Sequence, residues 1–351
     1  MSLQISELEH PSARRKFITT AAAASAGLIL TRSGSAVAQA TTIPQFDAIK
    51  GGYPYTVLAE GVAFPEGPIV MKDGSLLFVE IFGGRLSRLL PNKKVVTVAN
   101  LGGGPNGAAM GPDGAVYVAN NGGIRAYPNA LVPDGWNGGW IDRVDPETGK
   151  FERLVDTVSG VKLNAPNDLV FDGKGGFWFT DLGRKHERFM DYGAVYYTDL
   201  TGKKTTEMVY GIPQANGIGL SPDGSLLYVA VPVTRQILVY EVEGPARLKQ
   251  KNGKPLTRVL CSIEGDGIFD SLKVEQSGNV VVAWKGADPG GLVVVTPKGE
   301  TKNVVFGAPI SNIAFGGPDM QTMYIAAGSD SNGKILMARW PRPGLKLAYN
   351  F

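Results

Sequence analysis

Cysteine and histidine are almost missing from this chain. Its one cysteine, Cys261, can close no internal disulfide, and its two histidines, His10 and His186, are too few for the His-rich zinc sites or a two-histidine catalytic dyad. Charge imbalance is missing too. The 351 residues hold 35 Lys+Arg and 32 Asp+Glu for a formal +3, and the first 40 carry four of the basic and two of the acidic side chains, which leaves +1 on the rest. With no basic runs there is no electrostatic basis for a nucleic acid or an anionic membrane as partner, so a small molecule is expected instead. Helix-period patterning is hardly visible after residue 40. The one mildly apolar stretch, Phe17 to Leu30, is too short and too rich in Ala and Thr to span a bilayer.

That stretch has a different reading. Arg14-Arg15-Lys16-Phe17 stands before it, and Ala36-Val37-Ala38-Gln39-Ala40 follows with small-residue cleavage sites. The pattern of residues 1–40 is that of a twin-arginine (Tat) signal peptide, which would deliver a prefolded protein, residues 41–351, to the periplasm. A chain with one cysteine suits that route, since no disulfide has to form outside.

Glycine and proline, 47 and 23 residues, supply many turns, and the turns recur. The segments DGSLLFVE, DGAVYVAN, GKGGFWFTD, DGSLLYVAV, SGNVVVAW and PDMQTMYIA each join a turn to a run of β-branched and aromatic residues. A short apolar stretch precedes each one: Gly67-Val70, Ala108-Met110, Leu169-Phe171, Ile218-Leu220, Leu272-Val274 and Ile313-Phe315. Counted at Gly74, Gly114, Gly175, Gly224, Gly278 and Met320, the units are 40, 61, 49, 54 and 42 residues apart. Repeating antiparallel meanders at such spacings predict an all-β, six-bladed β-propeller. Two stacked β-sandwiches would leave the repeat unexplained.

Eight residues before each counted point stands Glu66, Asn106, Asn167, Asn216, Asp270 or Asn312. Six equivalent positions written only in Glu, Asp and Asn predict a ring of oxygens on the propeller axis. Oxygens of this kind select a hard cation such as Ca²⁺ or Mg²⁺. In a meander, the residue opening the first strand and the loop after the second strand share a face. One mouth should therefore carry the ring and the loops Glu80–Gly84, Asn120–Trp136, Asp181–Tyr192, Ala230–Arg235, Trp284–Gly291 and Ala327–Gly333. The long second loop, with Tyr127, Trp136 and Trp140 in or beside it, is either a flap over the pocket or a solvated insertion.

Phe64-Pro65-Glu66-Gly67-Pro68, Ala165-Pro166-Asn167-Asp168-Leu169, Asn216-Gly217-Ile218, Phe269-Asp270-Ser271-Leu272 and Ser311-Asn312-Ile313-Ala314-Phe315 occur in the order found in the regucalcin and gluconolactonase (senescence marker protein) family, which the chain resembles over about Glu60 to Ala326. The resemblance implies a divalent-metal hydrolase, usually of lactones. Glu66, Asn167 and Asp270 match its core metal ligands, Asn216 matches a fourth ligand of related calcium-dependent propellers, and Asn106 falls where members contact substrate. The expected cofactor is one divalent cation, Ca²⁺ first, with Mg²⁺, Mn²⁺ or Zn²⁺ as alternatives. Departures stand out: Gly104 replaces an arginine of the sugar-lactone members, Ser271 replaces a glycine, and Gly67 replaces the acid that in two-calcium relatives supports a second ion.

The expected chemistry is Lewis-acid activation of a lactone carbonyl with water as nucleophile. Asp270 is expected to act as general base as well as ligand, since one of its oxygens is left to take a proton. Asn106 would orient the substrate, with Asn120, Asp181 and Arg235 as further substrate-binding candidates. Two other readings stay open: hydrolysis or elimination on another electrophile, such as an organophosphate or a modified sugar, and a non-catalytic calcium- or sugar-binding propeller.

Overall fold

The computed structural model describes residues 52–125, 131–286 and 290–349. The leader read in residues 1–40 lies outside them, as does Tyr127 of the long loop. Strong β-formers between turns give four-stranded antiparallel meanders. Blade 1 is built from Pro65–Val70, Leu76–Glu80, Arg85–Leu89 and Val95–Asn100, and blade 2 from Pro105–Met110, Val116–Asn120, Trp140–Val144 and Phe151–Val155. Blade 3 holds Pro166–Phe171, Gly176–Asp181, Gly193–Asp199 and Thr206–Ile212. Blade 4 holds Ile218–Leu220, Leu226–Val231, Gln236–Gly244 and Thr257–Ser262, and blade 5 holds Ile268–Val274, Val280–Lys285, Gly291–Val295 and Thr301–Val305.

Blade 6 contributes Ile310–Gly316, Thr322–Ala327 and Gly333–Arg339 from its own repeat. Its outer strand is Thr56–Val62, which pairs antiparallel with Gly333–Arg339 and so joins the start of the described chain to its end. The molecule is a six-bladed β-propeller with no helix among the described residues.

Period-2 alternation sends each strand's side chains to two neighbours. Val116 and Val118 of blade 2 pack with Leu77, Val79 and Leu86 of blade 1, while Tyr117, Ala119 and Ile141 of blade 2 pack with Phe177 and Phe179 of blade 3. The core is thus a set of interfaces between blades around an axis. After Arg339 the tail crosses the turn face: Leu345 N–H donates to Val274 O at 2.8 Å, Leu347 joins the apolar contacts of blades 3 and 4, and Tyr349 meets Phe171. Leu345 and Leu347 line a small axial cavity with Ile69, Ala108, Leu169 and Lys273, which makes the tail the floor of the channel.

Candidate functional site

The inner strands begin earlier than their apolar stretches suggest, and the reason is a repeated irregularity. Pairing with the second strand slips between Glu66 and Ile69, Pro105 and Ala108, Pro166 and Leu169, Phe269 and Leu272, and Ile310 and Asn312. A β-bulge takes residues out of the ladder and re-aims them. In blades 2, 3 and 5 it takes in the polar residue of the repeat, and in blades 1 and 6 that residue, Glu66 or Asn312, stands at its edge. In blade 4, Asn216 stands just ahead of the strand, with its N–H donating to Ala230 O at 2.9 Å. Gly67 adopts φ +49°, and a Cβ on it would lie 2.5 Å from Ala108 N; a Cβ on Gly107 would lie 2.5 Å from Asn167 O. Adjacent inner strands therefore run backbone against backbone beside the axis.

All six polar residues of the ring are buried. Five of them, Glu66, Asn106, Asn167, Asn216 and Asp270, line a cavity of about 630 Å³. The sixth, Asn312, sits behind Glu66 and donates from Nδ2 to Glu66 Oε2 at 2.7 Å; Gly67 N–H donates to the same oxygen at 3.0 Å. Asn216 Nδ2 donates to Asp270 Oδ1 at 2.8 Å. Burial, and then the charge of Asp270, push the Glu66 carboxyl up to about 8, against the opposing effects of the Asn312 hydrogen bond and the Lys285 charge. Asp168 turns away from the cavity: its Oδ1 accepts Leu169 N–H at 2.9 Å and its Oδ2 faces Lys273 Nζ at 3.3 Å.

Lys285 was not foreseen. Its ammonium forms an ion pair with Asp270 Oδ2, both side chains being buried, and lies 5.0 Å from the centre of the Phe64 ring. The register explains how it gets there. Glu80, Asn120 and Asp181 pair across the ladder with Pro65, Pro105 and Pro166, each the residue before its blade's polar one, so they hold one equivalent place at the end of the second strand; in blade 5 that place is Trp284, paired with Phe269, and Lys285 stands one residue beyond it, opposite Ile268. In blades 1 to 3 that side chain turns back and accepts from the segment entering the inner strand. Glu80 accepts from Ala63 N–H at 2.8 Å, Asn120 from Gly104 N–H at 2.9 Å, and Asp181 from Asn164 and Ala165 N–H at 2.8 Å each. The indole of Trp284 has a donor only and cannot make that latch. In blade 5 it is the next residue, Lys285, that reaches the axial carboxylate.

Two expected substrate contacts are thereby placed elsewhere. Asn120 also binds Gly102 O, Gly122 N–H and Asp142, and Asp181 also accepts Gly183 N–H, so both side chains are spent on the backbone and neither lines the cavity. Arg235, at φ +52°, donates to Ile263 O at 3.2 Å; its loop lines the cavity through Pro232 and Val233 instead. Asn106 does line it. Five of the six expected mouth loops contribute, chiefly through Leu182–Met190, with Ile81, Asn121 and Ile124, whereas Ala327–Gly333 supplies no lining residue. Within that stretch His186 Nε2 lies 3.1 Å from Asp191 Oδ2, and its ring stacks on Phe189. Of the flap aromatics, Trp136 lies 5.1 Å from the Arg184 guanidinium, whereas Trp140 donates to Asp142 Oδ2 at 2.7 Å within blade 2.

Arg184 is the second unforeseen residue. It lines the cavity while only 3% exposed, and its Nε and Nη2 meet no hydrogen-bond partner among the described residues. Burial lowers its pKa to about 10, opposed by the charges of Asp181 and Asp191, so at neutral pH it stays a cation.

The axial oxygens can be tested against the cation they suggest. Asn167 Oδ1 and Asn216 Oδ1 are buried and accept no hydrogen bond among the described residues. Buried acceptors left without a donor are costly, and amide and carboxylate oxygens suit a hard divalent ion. Among the described residues no three His, Cys, Asp or Glu side chains cluster, so a site here would draw on amide oxygens as well as the two acids. The donor set fits, with the Asp270–Lys285 pair as the one contact that would have to open.

Comparison with known proteins adds a lineage. Residues 64–329 match the family described as SMP-30/Gluconolactonase/LRE-like region. Gluconolactonase of Zymomonas mobilis subsp. mobilis is 29% identical over 331 residues, 84% of this chain and 85% of that protein. Lactonase drp35 of Staphylococcus haemolyticus is 28% identical over 226 residues, 63% of each chain. The solved structure of a gluconolactonase from Xanthomonas campestris aligns with a TM-score of 0.64 at 22% identity, over 82% of this chain and 89% of that one. The calcium-binding protein regucalcin from Agrobacterium tumefaciens aligns equally well, at 0.64 and 19% identity over 84% and 99%. At such identities the two structures speak for the fold.

Proposed function

The chain belongs to the SMP-30/gluconolactonase/LRE-like family, and from that premise we propose that it is a divalent-metal-dependent lactonase working at the axial ring. The observation that carries the reading is the pair of buried, unsatisfied amide oxygens, Asn167 Oδ1 and Asn216 Oδ1, beside two acids on the floor of a cavity of about 630 Å³. Gluconolactonase and lactonase relatives support lactone opening as the reaction class. Glu66, Asn167, Asn216 and Asp270 would hold the ion, Ca²⁺ before Mg²⁺. The chemistry such an ion supplies when bound is Lewis-acid polarisation of a carbonyl oxygen.

The chain's own residues do the rest. Asn106, in the cavity wall, orients the lactone. Asp270 carries the proton transfer: Oδ1 is fixed by Asn216, and Oδ2 takes the proton from the attacking water once Lys285 has moved off it. Asn312 holds the Glu66 carboxylate in its rotamer from behind. The loop Leu182–Met190 lines the cavity and would limit bulk water there. Action in the periplasm is part of this proposal and rests on the twin-arginine leader.

A panel of sugar and alkyl lactones assayed by proton release, with chelator and then with Ca²⁺ or Mg²⁺ restored, tests it. Opening of at least one lactone, abolished by chelator and recovered with metal, is the expected result. No turnover across the panel would overturn the reaction class, and turnover indifferent to chelator would overturn the metal.

A further inference from the structure

A buried guanidinium with open donors needs an anion. Arg184 lines the axial cavity at 3% exposure, with Nε and Nη2 buried and unpartnered among the described residues. The carboxylates near enough to act on it are engaged elsewhere. Asp181 is filled by the N–H groups of Asn164, Ala165 and Gly183, and Asp191 faces His186 Nε2 at 3.1 Å. Neither carboxylate shares a hydrogen bond or a close ion pair with the Arg184 guanidinium among the described residues; Asp191 meets Arg184 through its backbone N–H, which donates to Arg184 O at 2.8 Å. Leaving buried donors of a charged group unmade costs more than a neutral hydrogen bond is worth, and a protein holding such a group in a cavity wall gains it back when a ligand supplies the acceptors. The surroundings favour a negative ligand: the same loop turns Lys185 and Arg188 to the cavity against one acid, Glu187. Trp136, 5.1 Å from the guanidinium, restricts where it can point.

We propose that Arg184 anchors a carboxylate carried by the substrate, so that the lactones this site prefers bear a free acid group in addition to the ring carbonyl. The inference rests on the lactonase reading for the word lactone, but not for the anion. Two guanidinium N–H groups in one plane match the two oxygens of a carboxylate. One guanidinium opposes one negative charge, whereas a phosphate ester brings about 1.5 to 2.

The test is calorimetric binding to the full mature chain of four compounds on one carbon skeleton: glucitol with no acid, gluconate with one, glucarate with two, and 6-phosphogluconate with a phosphate in place of the second. Glucarate should bind at least about tenfold more tightly than gluconate, and Arg184→Gln should bring the ratio near one. Arg184→Lys, which keeps the charge and the aliphatic stem but loses the fork, should retain part of the preference, and it decides the matter if the Gln variant does not fold. Equal binding of gluconate and glucarate, or a preference unchanged in both variants, would overturn the proposal; so would 6-phosphogluconate binding more tightly than glucarate. Lactone turnover is followed separately on a neutral lactone and on one that bears a free carboxylate. Arg184-dependent glucarate binding without any turnover upholds the anion site while sinking the lactonase reading, and neutral-lactone turnover without a glucarate preference does the reverse.

Discussion

On the proposed reading, a divalent ion held by Asp270 competes with the Lys285 ammonium for the charge of that carboxylate, so this lysine would set the affinity of the axis for metal. Removing one member of a buried ion pair strands the other and typically costs about 3–5 kcal/mol. Lys285→Met should therefore lower thermal stability in chelated buffer. Millimolar Ca²⁺ should then raise its Tm by more than it raises the wild type's, because the ion supplies the missing charge, and the calorimetric Ca²⁺ affinity should rise at least about tenfold. Equal Ca²⁺ shifts in the two proteins would mean that the ion and Lys285 do not compete. At this scale the acceptors of the site were legible and the donors were not. Glu66, Asn167, Asn216 and Asp270 share an offset from a turn that can be counted along the chain. Lys285 stands one residue beyond the place that Glu80, Asn120 and Asp181 hold, and its reach to the axis appears once the ladder sets it opposite Ile268. The shared place of Asn120 and Asp181 with Glu80 shows why they read as pocket residues yet serve as latches. Arg184 lies in a loop outside the repeat, where no counting reaches.

The inner strand is the element that turns a sequence offset into a site. A regular strand would send alternate residues to its two faces; the bulge after Glu66, Pro105, Pro166, Phe269 and Ile310 breaks that alternation at or beside the polar residue in five blades. The fixed offset of eight was readable because turn and polar residue bound the same strand. The bulge was not, since nothing local distinguishes Asn106-Gly107 from an ordinary strand start. What Gly107 provides is clearance, its missing Cβ being 2.5 Å from both Asn167 O and Asp168 Cα. Gly107→Ala should cost about 1–3 kcal/mol through overpacking against backbone that cannot retreat. It should also weaken metal binding, because Asn167 is the group pushed. A denaturant midpoint within about 0.5 kcal/mol of wild type would show that the blades have slack at the axis.

Six repeats announce six blades, but they do not say how the ring closes. The last repeat runs out after Gly333–Arg339, where Pro341 and Pro343 lack the N–H that a fourth strand would need. The missing strand is Thr56–Val62, ahead of the first repeat, and it pairs from Thr56↔Met337 to Val62↔Gly333. The proline-bearing tail, barred from the sheet, instead crosses beneath the axis with Leu345 and Leu347 and ties itself down through Arg342, which donates to the buried Glu275 at 2.6 and 2.8 Å. Closure joins residues far apart in sequence, and an open ring would leave the edge of Gly333–Arg339 as a template for other chains. A chain beginning at Gly52 keeps the closing strand and Tyr53, whose hydroxyl donates to Arg339 O at 2.6 Å; it should melt and elute like the longer protein. A chain beginning at Ala63 should lose its single cooperative transition and form oligomers by edge pairing, read by size-exclusion chromatography and thermal unfolding. If that shorter chain stays monomeric with an unchanged Tm, the ring is held by its interfaces between blades alone, and Thr56–Val62 does not close it in any energetic sense.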